Sequence, residues 1–213
     1  MNKENKCKFG SVGIVLPGVE LKIEEDKEII VRGPNIMQGY FQDPQATADA
    51  IDEAGWFHTG DLGFIDSNGF LYIIGRKKEM MVTSGGKNIW PEVIEKLLNN
   101  DTYITQSMVI GHKFKYLSAL IIPDWEQILQ YAKENNLQFA NYEDLSKSPE
   151  ILHLMRSSID VATIDLPDYE KIVSFTLLIN EFSQDKDELT PTLKLRRSTI
   201  EKHYEKDIAA MYI

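Results

Sequence analysis

The chain has 213 residues, with 33 acidic and 23 basic side chains, a formal net charge of −10 and 43% apolar residues. This length fits one large domain or two small ones, and it excludes a full-size multidomain enzyme. The negative charge argues against a nucleic-acid-binding surface, which needs a clustered basic footprint. The single cysteine, Cys7, cannot form an internal disulfide, which suits a reducing compartment.

The sequence carries no signal for membrane insertion or secretion. No apolar run approaches the ~18 residues that a membrane-spanning helix needs, and the opening residues MNKENKCK lack the hydrophobic segment of a signal peptide. We therefore predict a cytoplasmic protein without a transmembrane segment. The apolar and glycine pattern GSVGIVLPG begins within ten residues of the start, as if the first part of a domain were missing. This pattern predicts a truncated chain.

The first region, residues 9–75, is rich in glycine and short apolar runs, which favours a small antiparallel β unit. Residues 19–23 alternate between polar and apolar, residues 24–27 form a polar turn, and residues 28–32 return, so a hairpin is predicted. Asn68-Gly69 is a strong signal for a tight turn between two further strands, at residues 62–66 and 70–74.

One helix is predicted in this first region. Asp43 provides the N-cap and Pro44 stands at the first helical position, where its missing N–H costs nothing. The rest of the region has the pattern of strands and turns.

From Gly75 onward the pattern becomes mixed. Strands and helices alternate without a clean βαβ rhythm, so we predict the α+β class for this half. The predicted strands are 79–83, 107–110, 117–122 and 172–179, and the predicted helices begin at Pro91 or span 125–134, 148–164 and 196–210.

Several kinds of active site have no support in the sequence. The histidines His58, His112, His153 and His203 are far apart, and none stands at a metal-ligand spacing with another His or Cys. No G-x-S-x-G motif is present, so triad hydrolysis has no support. The loop Ser84–Asn88 lacks the first glycine of a P-loop. Two interpretations of this loop stay open, a plain connector between a strand and a helix or a cradle of exposed amides for an anion.

Two segments stand out as candidate sites. In Gly55–Gly63, glycines free the backbone while Thr59 and Asp61 offer acceptors of the kind that a sugar diol needs; the alternative is that Asp61 is an ordinary turn residue. In a predicted loop before the last helix, Lys194 is a flexible point charge suited to phosphate, or simply a surface residue. The three-residue basic clusters that include Arg76 and Lys194 are most often solvated faces.

Four segments in this order resemble the C-terminal part of an AMP-forming acyl-CoA synthetase, of the long-chain fatty-acid–CoA ligase type within the adenylate-forming superfamily. The similarity covers essentially the whole chain from Gly10, and several ordered motifs are more specific than any one of them. The segments are GSVGIVLPGVELKI, IIVRGPNIMQGYFQDPQAT, GWFHTGDLGFIDSNGFLYIIGRKKEMMVTSGGKNIWPEVIE and LTPTLKLRR.

The resemblance implies a fold and a domain organisation. Residues 1–75 would form a small distorted antiparallel β-barrel subdomain, the last part of a large adenylating domain. Residues 76–213 would form a mobile α+β lid domain with a central sheet and flanking helices. The boundary would lie at Gly75-Arg76-Lys77-Lys78, with Lys78 at the hinge about which the lid rotates between two half-reactions.

The resemblance also implies roles for individual residues. Asp61 would hold both ribose hydroxyls of the nucleotide, with Arg76 adding donors and Thr59 in the same nucleotide-binding set. Lys194 would be the adenylation lysine, bridging the attacking carboxylate and the α-phosphate. After rotation, a second set would line the passage of the CoA thiol, namely Ser84, Gly85, Gly86 and Lys87.

Two positions depart from the pattern of the family. Many relatives have glycine before the catalytic lysine, whereas here Leu193 precedes Lys194; the TPTLKLRR form is typical of the long-chain branch. Val93 stands where many relatives carry a glutamate, which leaves a polar role for that helix start unsupported.

The implied reaction is fatty acid plus ATP giving acyl-adenylate and pyrophosphate, then CoA giving acyl-CoA and AMP, with Mg²⁺ neutralising the phosphates. The partners would be ATP, the fatty acid, CoA and a missing N-terminal part of the same polypeptide, so the chain alone is predicted to be inactive. Two alternatives stay open: a ligase for another carboxylic acid, and a non-catalytic binding or regulatory module. The predicted lack of a transmembrane segment leaves peripheral membrane contact open.

Overall fold

The computed structural model describes residues 7–213. These residues form two compact units, of which the first ends at Met80 and the second runs from Met81 to Ile213. The first unit is mainly antiparallel sheet, and the second combines a sheet with helices. The predicted α+β class is confirmed at this level.

The first unit is built on a four-stranded antiparallel sheet of order β1-β2-β3-β4. The predicted hairpin is confirmed, with Glu20 opposite Arg32 and Ile23 opposite Ile29. The predicted helix is confirmed as well, since the Asp43 side chain accepts a hydrogen bond from the Ala46 amide. The elements are β1 Glu20–Ile23, β2 Glu28–Arg32, α1 Pro44–Ala50, β3 Phe57–Ile65, β4 Leu71–Arg76 and a 3₁₀ turn Lys77–Glu79.

The sheet of the first unit is open. Within the described residues the ladders run from β1 to β4, and these two strands do not pair with each other, so the sheet does not close into a barrel. The buried large apolar side chains in the described part of the first unit are Ile29, Ile30, Trp56 and Leu62.

The second unit is centred on a three-stranded sheet of order β7-β8-β9, flanked by helices. β7 and β8 pair antiparallel, and β8 and β9 pair parallel. The elements are β5 Met81–Val82, β6 Asn88–Ile89, α2 Pro91–Leu98, β7 Ile104–Ile110, β8 Leu117–Pro123, α3 Trp125–Glu134, α4 Tyr142–Lys147, α5 Pro149–Ala162, a 3₁₀ turn Asp168–Glu170, β9 Ile172–Leu177, α6 Arg197–His203 and α7 Glu205–Ala210.

The central strand β8 separates two hydrophobic clusters, one on each face of the sheet. Its side chains alternate, so Ala119 and Ile121 pack into one cluster with α2, α3, α4 and α5. Leu120 and Ile122 pack into the other with α6 and α7. Because both faces are covered, the strand is apolar at nearly every position.

Several elements differ from their prediction. Strand β3 begins at Phe57 rather than at residue 62, and β6 was not predicted. The strand expected at 79–83 is reduced to β5, because the residues before it form the 3₁₀ turn. The six-residue helix α4 was not predicted, since it is too short to show a helical period. The last helix is divided in two at Tyr204, whose backbone leaves helical geometry (φ −109°, ψ 24°) and whose ring meets Phe182 edge-on. No helix in the described part of the chain is long and apolar enough to cross a bilayer.

Candidate functional site

The three residues predicted to bind the nucleotide lie together at the β3–β4 pair of the first unit. Arg76 is the register partner of Asp61, and its Nε lies 2.7 Å from Asp61 Oδ1. The Thr59 hydroxyl donates to the Ile29 carbonyl at 2.6 Å and accepts from the Asp61 amide at 3.0 Å. Gly60 between them adopts φ +70°, which favours glycine. The Asp61 carboxylate is thus fixed through its backbone and through a cation.

Asp61 lies within β3, so it is not the ordinary turn residue of the alternative interpretation. A buried carboxylate that sequence reasoning missed supports this part of the strand. Glu28 is 6% exposed, and its Oε1 accepts from the Gly60 amide at 3.0 Å. Its Oε2 accepts from Lys77 Nζ at 2.9 Å and lies 3.3 Å from His58 Nδ1. In the sequence, Glu28 is only a charged residue at the start of an apolar strand. Charged residues at such positions are commonly solvated, so nothing in the sequence singled it out.

The electrostatics of this cluster, Glu28 with its partners, favour the ionised carboxylate. Burial raises the pKa of the Glu28 carboxyl, but the hydrogen bonds from Lys77, His58 and the Gly60 amide together outweigh burial, so the pKa lies below its ordinary value. Lys77 also pairs with Asp26 at 2.6 Å, and this hydrogen bond is the main cause that lowers the pKa of Asp26. Lys77, which follows Arg76 directly, is therefore anchored to the first unit.

Lys78, the predicted hinge residue, is exposed and lies in the 3₁₀ turn Lys77–Glu79. It stands two residues before Met80, where the first unit ends. Its neighbour Lys77 is held by two carboxylates, so this turn is the last segment before the boundary that is anchored to the first unit.

The glycine loop is the tight connection of the β5–β6 hairpin in the second unit. The Ser84 amide donates to the Phe114 carbonyl at 2.9 Å, and the Gly86 amide donates to the Thr83 carbonyl at 2.9 Å. The Lys87 amide donates to Thr83 Oγ1 at 3.2 Å. Because these amides are used internally, the anion cradle is not supported, and the loop joins two strands rather than a strand and a helix. It presents exposed side chains instead.

Lys194 lies in a compact loop that is closed on itself. Thr190 and Lys194 exchange two hydrogen bonds, from the Thr190 amide to the Lys194 carbonyl at 2.8 Å and from the Lys194 amide to Thr190 Oγ1 at 3.0 Å. Leu189 and Leu195 form a β-bridge at its base. We call residues 189–195 the lysine loop. Its backbone is ordered by its own hydrogen bonds, while the Lys194 side chain is exposed.

The structure gives a physical reason why glycine would suit the position directly before Lys194. Leu193 adopts φ +61°, in the left-handed region that glycine occupies without cost. Its amide donates to the Thr190 carbonyl at 2.9 Å, which closes the turn in this conformation. Leucine here keeps the turn and bears the backbone strain.

A second buried carboxylate, Glu188, lies at the base of the lysine loop and was also missed. It is 1% exposed, its Oε2 accepts from the Ser183 amide at 3.2 Å, and its Oε1 lies 3.0 Å from His203 Nδ1. Its carbonyl accepts from the Arg196 amide at 2.8 Å. The sequence offered no signal for it, because DELT reads as an ordinary polar loop.

The predicted site residues thus fall into two sets, one in each unit. Among residues 7–213, no group of three or more His, Cys, Asp or Glu side chains is arranged to hold a metal ion. The first unit carries Thr59, Asp61, Arg76 and Lys78, and the second carries Ser84, Gly85, Gly86, Lys87 and Lys194.

Residues 78–213 match a family model described as AMP-binding enzyme C-terminal domain. The chain is similar to the long-chain-fatty-acid–CoA ligase FadD15 of Mycobacterium tuberculosis, with 38% identity over 209 residues. That match covers 98% of this chain and 35% of the relative, so the chain spans little more than a third of the relative's length.

Solved structures of adenylate-forming enzymes share the fold. The adenylation domain of a carboxylate reductase from Mycobacterium chelonae matches 97% of this chain and 34% of its own, with a TM-score of 0.73 and 20% identity, which shows the fold alone. The o-succinylbenzoate coenzyme A synthetase of Bacillus subtilis, solved in complex with AMP, matches 90% of this chain and 35% of its own, with a TM-score of 0.62 and 27% identity.

Proposed function

The chain belongs to the family of AMP-binding enzyme C-terminal domains, and from this we propose that it is the C-terminal portion of an AMP-forming long-chain fatty-acid–CoA ligase. The observation that carries the proposal is the 38% identity with a long-chain ligase along 98% of the chain. In such a ligase, the residues that bind the phosphates, the adenine and the acyl chain belong to a preceding region of the same polypeptide.

The first unit, in this proposal, is the last subdomain of the adenylating domain, and its open sheet is part of a distorted barrel. Asp61 accepts hydrogen bonds from the two ribose hydroxyls, a bidentate contact for which a carboxylate is well suited. Arg76 orients that carboxylate from 2.7 Å and extends further donors toward the ribose. Thr59 supports the contact by fixing the Asp61 backbone.

The second unit acts as the lid, and its lysine loop performs the adenylation step. A carboxylate oxygen of the fatty acid attacks the α-phosphorus of ATP, and pyrophosphate leaves with the bonding electrons. Charge builds on the phosphoryl oxygens in this step, and Lys194 stabilises it. The internal hydrogen bonds of the loop support this role, because a preorganised donor loses little entropy in the transition state.

The glycine hairpin acts in the thioester step. The lid rotates about Lys78, Lys194 leaves the nucleotide, and Ser84, Gly85, Gly86 and Lys87 line the passage of the CoA thiol. The thiol sulfur then attacks the acyl carbon, the bond from that carbon to the phosphate oxygen breaks, AMP leaves with the bonding electrons, and the thiol proton passes to solvent. A compact hairpin with small residues at its turn supports the role, because it leaves room for a narrow substrate arm.

Mg²⁺ neutralises the phosphates of ATP when it is bound in ligases of this kind. The described residues offer no group of three acidic, histidine or cysteine ligands for it. No residue of this chain is therefore assigned to the metal, and no step above is derived through it.

A ligase for another carboxylic acid is the second candidate. The o-succinylbenzoate coenzyme A synthetase shares this fold at 27% identity, so the fold itself does not select the acid. A non-catalytic module with the same fold is the third. A non-catalytic module would have no need for aspartate at position 61, arginine at position 76 or lysine at position 194, which are the residue types that the chemistry uses.

The proposal is tested by assaying the ligase that contains this chain against palmitate, acetate, benzoate and o-succinylbenzoate. We expect palmitate to give the highest kcat/KM for acid-dependent pyrophosphate exchange, with palmitoyl-CoA and AMP as products. Preference for an aryl or short-chain acid would support the second candidate, and no turnover with any acid would support the third. The isolated 213-residue chain is expected to show no exchange with palmitate, and clear turnover by it would contradict the proposed division of the site.

A further inference from the structure

A partly buried ion pair stands at the end of the lysine loop. Arg197 is the first residue of α6 and stands three residues after Lys194. Its Nη2 lies 2.6 Å from Glu95 Oε2, and Glu95, on α2, is 5% exposed. The partners are 102 residues apart in the chain. The Glu95 side chain is 7% exposed and the Arg197 side chain 20%, so the buried carboxylate in particular depends on the guanidinium for compensation.

The pair is completed by the backbone of β7, an edge strand of the three-stranded sheet. Glu95 Oε1 accepts from the Val109 amide at 2.7 Å, and Arg197 Nη1 donates to the Val109 carbonyl at 3.3 Å. The two side chains together therefore hydrogen-bond to both the amide and the carbonyl of Val109. A pair with this geometry is directional, and it fixes the start of α6 relative to the sheet.

The two partners differ in how firmly the rest of the unit holds them. Helix α2 buries Ile94 and Leu98 almost completely in the larger cluster, so Glu95 projects from a rigid base. Helix α6 contributes Ile200 alone as a fully buried side chain. Elsewhere α6 and the end of the lysine loop are held by Glu188, whose carbonyl accepts from the Arg196 amide at 2.8 Å and whose Oε1 lies 3.0 Å from His203 Nδ1. The ion pair is the contact that ties the start of α6 to α2 and β7.

We propose that Glu95 and Arg197 are positioning residues for Lys194: the pair anchors the end of the lysine loop to α2 and β7, so that the ammonium group is delivered to a fixed place in the adenylation step. This rests on the proposed function. The neighbouring Arg196 offers a contrast, because its ion pair with Asp187 at 2.8 Å is exposed on both sides. Exposed pairs of this kind contribute little.

The first test is hydrogen exchange on the 213-residue chain, which does not depend on activity. In Arg197→Met we expect the Leu193 and Lys194 amides to exchange at least about tenfold faster, because the anchor is lost, while the β8 amides change less than about twofold. The matched control Arg196→Met should leave both sets within about twofold of the wild type. Loop exchange in Arg197→Met that equals the control, or that rises equally in β8, would overturn the proposal.

The second test separates the half-reactions in the ligase that contains this chain. We expect Arg197→Met and Glu95→Gln to lower kcat for pyrophosphate exchange by about 10- to 100-fold with KM for ATP within about twofold, since the ribose contacts belong to the first unit. Thioesterification of supplied palmitoyl-adenylate should stay within about threefold, and Arg197→Lys should restore part of the adenylation rate.

The two tests distinguish this inference from the function on which it rests. A rise in KM at unchanged kcat, or equal loss of both half-reactions, would overturn the positioning role. If the wild-type ligase shows no adenylation at all, the proposed function fails, and the exchange experiment still decides whether the pair anchors the loop.

Discussion

Asp61 is held by a cation on one side and by a hydroxyl beneath its backbone, and this determines what its substitution should do. In the ligase, Asp61→Asn keeps the shape of the side chain but loses the charge that, in the proposed function, accepts from two ribose hydroxyls. We expect KM for ATP in pyrophosphate exchange to rise about 10- to 100-fold, as loss of charged hydrogen bonds predicts. The control Asp49→Asn, exposed on α1, should leave KM unchanged. An unchanged KM in Asp61→Asn would contradict the ribose contact.

The pKa of Glu28 predicts how the stability of the fold depends on pH. The folded pKa lies below the unfolded value, so the stabilisation is fully present above the unfolded pKa of about 4.3 and is lost as the pH falls through the folded pKa.

The Gly60 amide, which donates to Glu28, reports this titration by NMR. Its chemical shift should change with a midpoint below about 4.3, and Glu28→Gln should remove the change. A midpoint at or above the ordinary glutamate value would show that burial outweighs the hydrogen bonds.

At the scale of elements, the left-handed turn at Leu193 makes a prediction about stability. Glycine relieves the strain but adds entropy to the unfolded chain, and the two effects nearly cancel. Leu193→Gly should therefore raise the free energy of unfolding by no more than about 1 kcal/mol. Leu193→Val should destabilise by about 1–2 kcal/mol, because β-branched residues avoid this region.

Urea unfolding of the isolated chain measures both Leu193 variants. The side chain is 68% exposed, so lost burial contributes little to either result. Equal stability of the valine and glycine variants would contradict the strained turn.

Local patterns accounted for the elements whose causes lie within a few residues. The β1–β2 hairpin follows from alternation around a polar turn, and α3, predicted at 125–134, spans these residues. The break at Tyr204 was not predictable, because no glycine or proline marks it in the sequence and the Tyr204 ring contacts Phe182 from outside the helix. The same limit applies to the site. Asp61 and Lys194 stand in recognisable segments, whereas Glu28 and Glu95 act through partners 49 and 102 residues away.

At the scale of the whole molecule, the two units have very different cores. Both hydrophobic clusters lie in the second unit, while the first buries Ile29, Ile30, Trp56 and Leu62. Because local stability follows the buried apolar contacts, the first unit should open more readily.

Hydrogen exchange detected by mass spectrometry tests this difference in the isolated chain. We expect the β2 and β3 amides to exchange at least about tenfold faster than the β8 amides. Equal protection in the two units would show that they unfold as one cooperative structure.

In the proposed function, the two half-reactions use different parts of this chain, and Lys194 is needed for one of them. The most direct measurement is therefore Lys194→Ala in the ligase that contains the chain, with Lys202→Ala on α6 as the control. We predict that palmitate-dependent pyrophosphate exchange falls by at least about 100-fold, the usual cost of removing one donor that stabilises transition-state charge. Thioesterification of supplied palmitoyl-adenylate should persist within about threefold. Unchanged pyrophosphate exchange in Lys194→Ala would contradict the central claim.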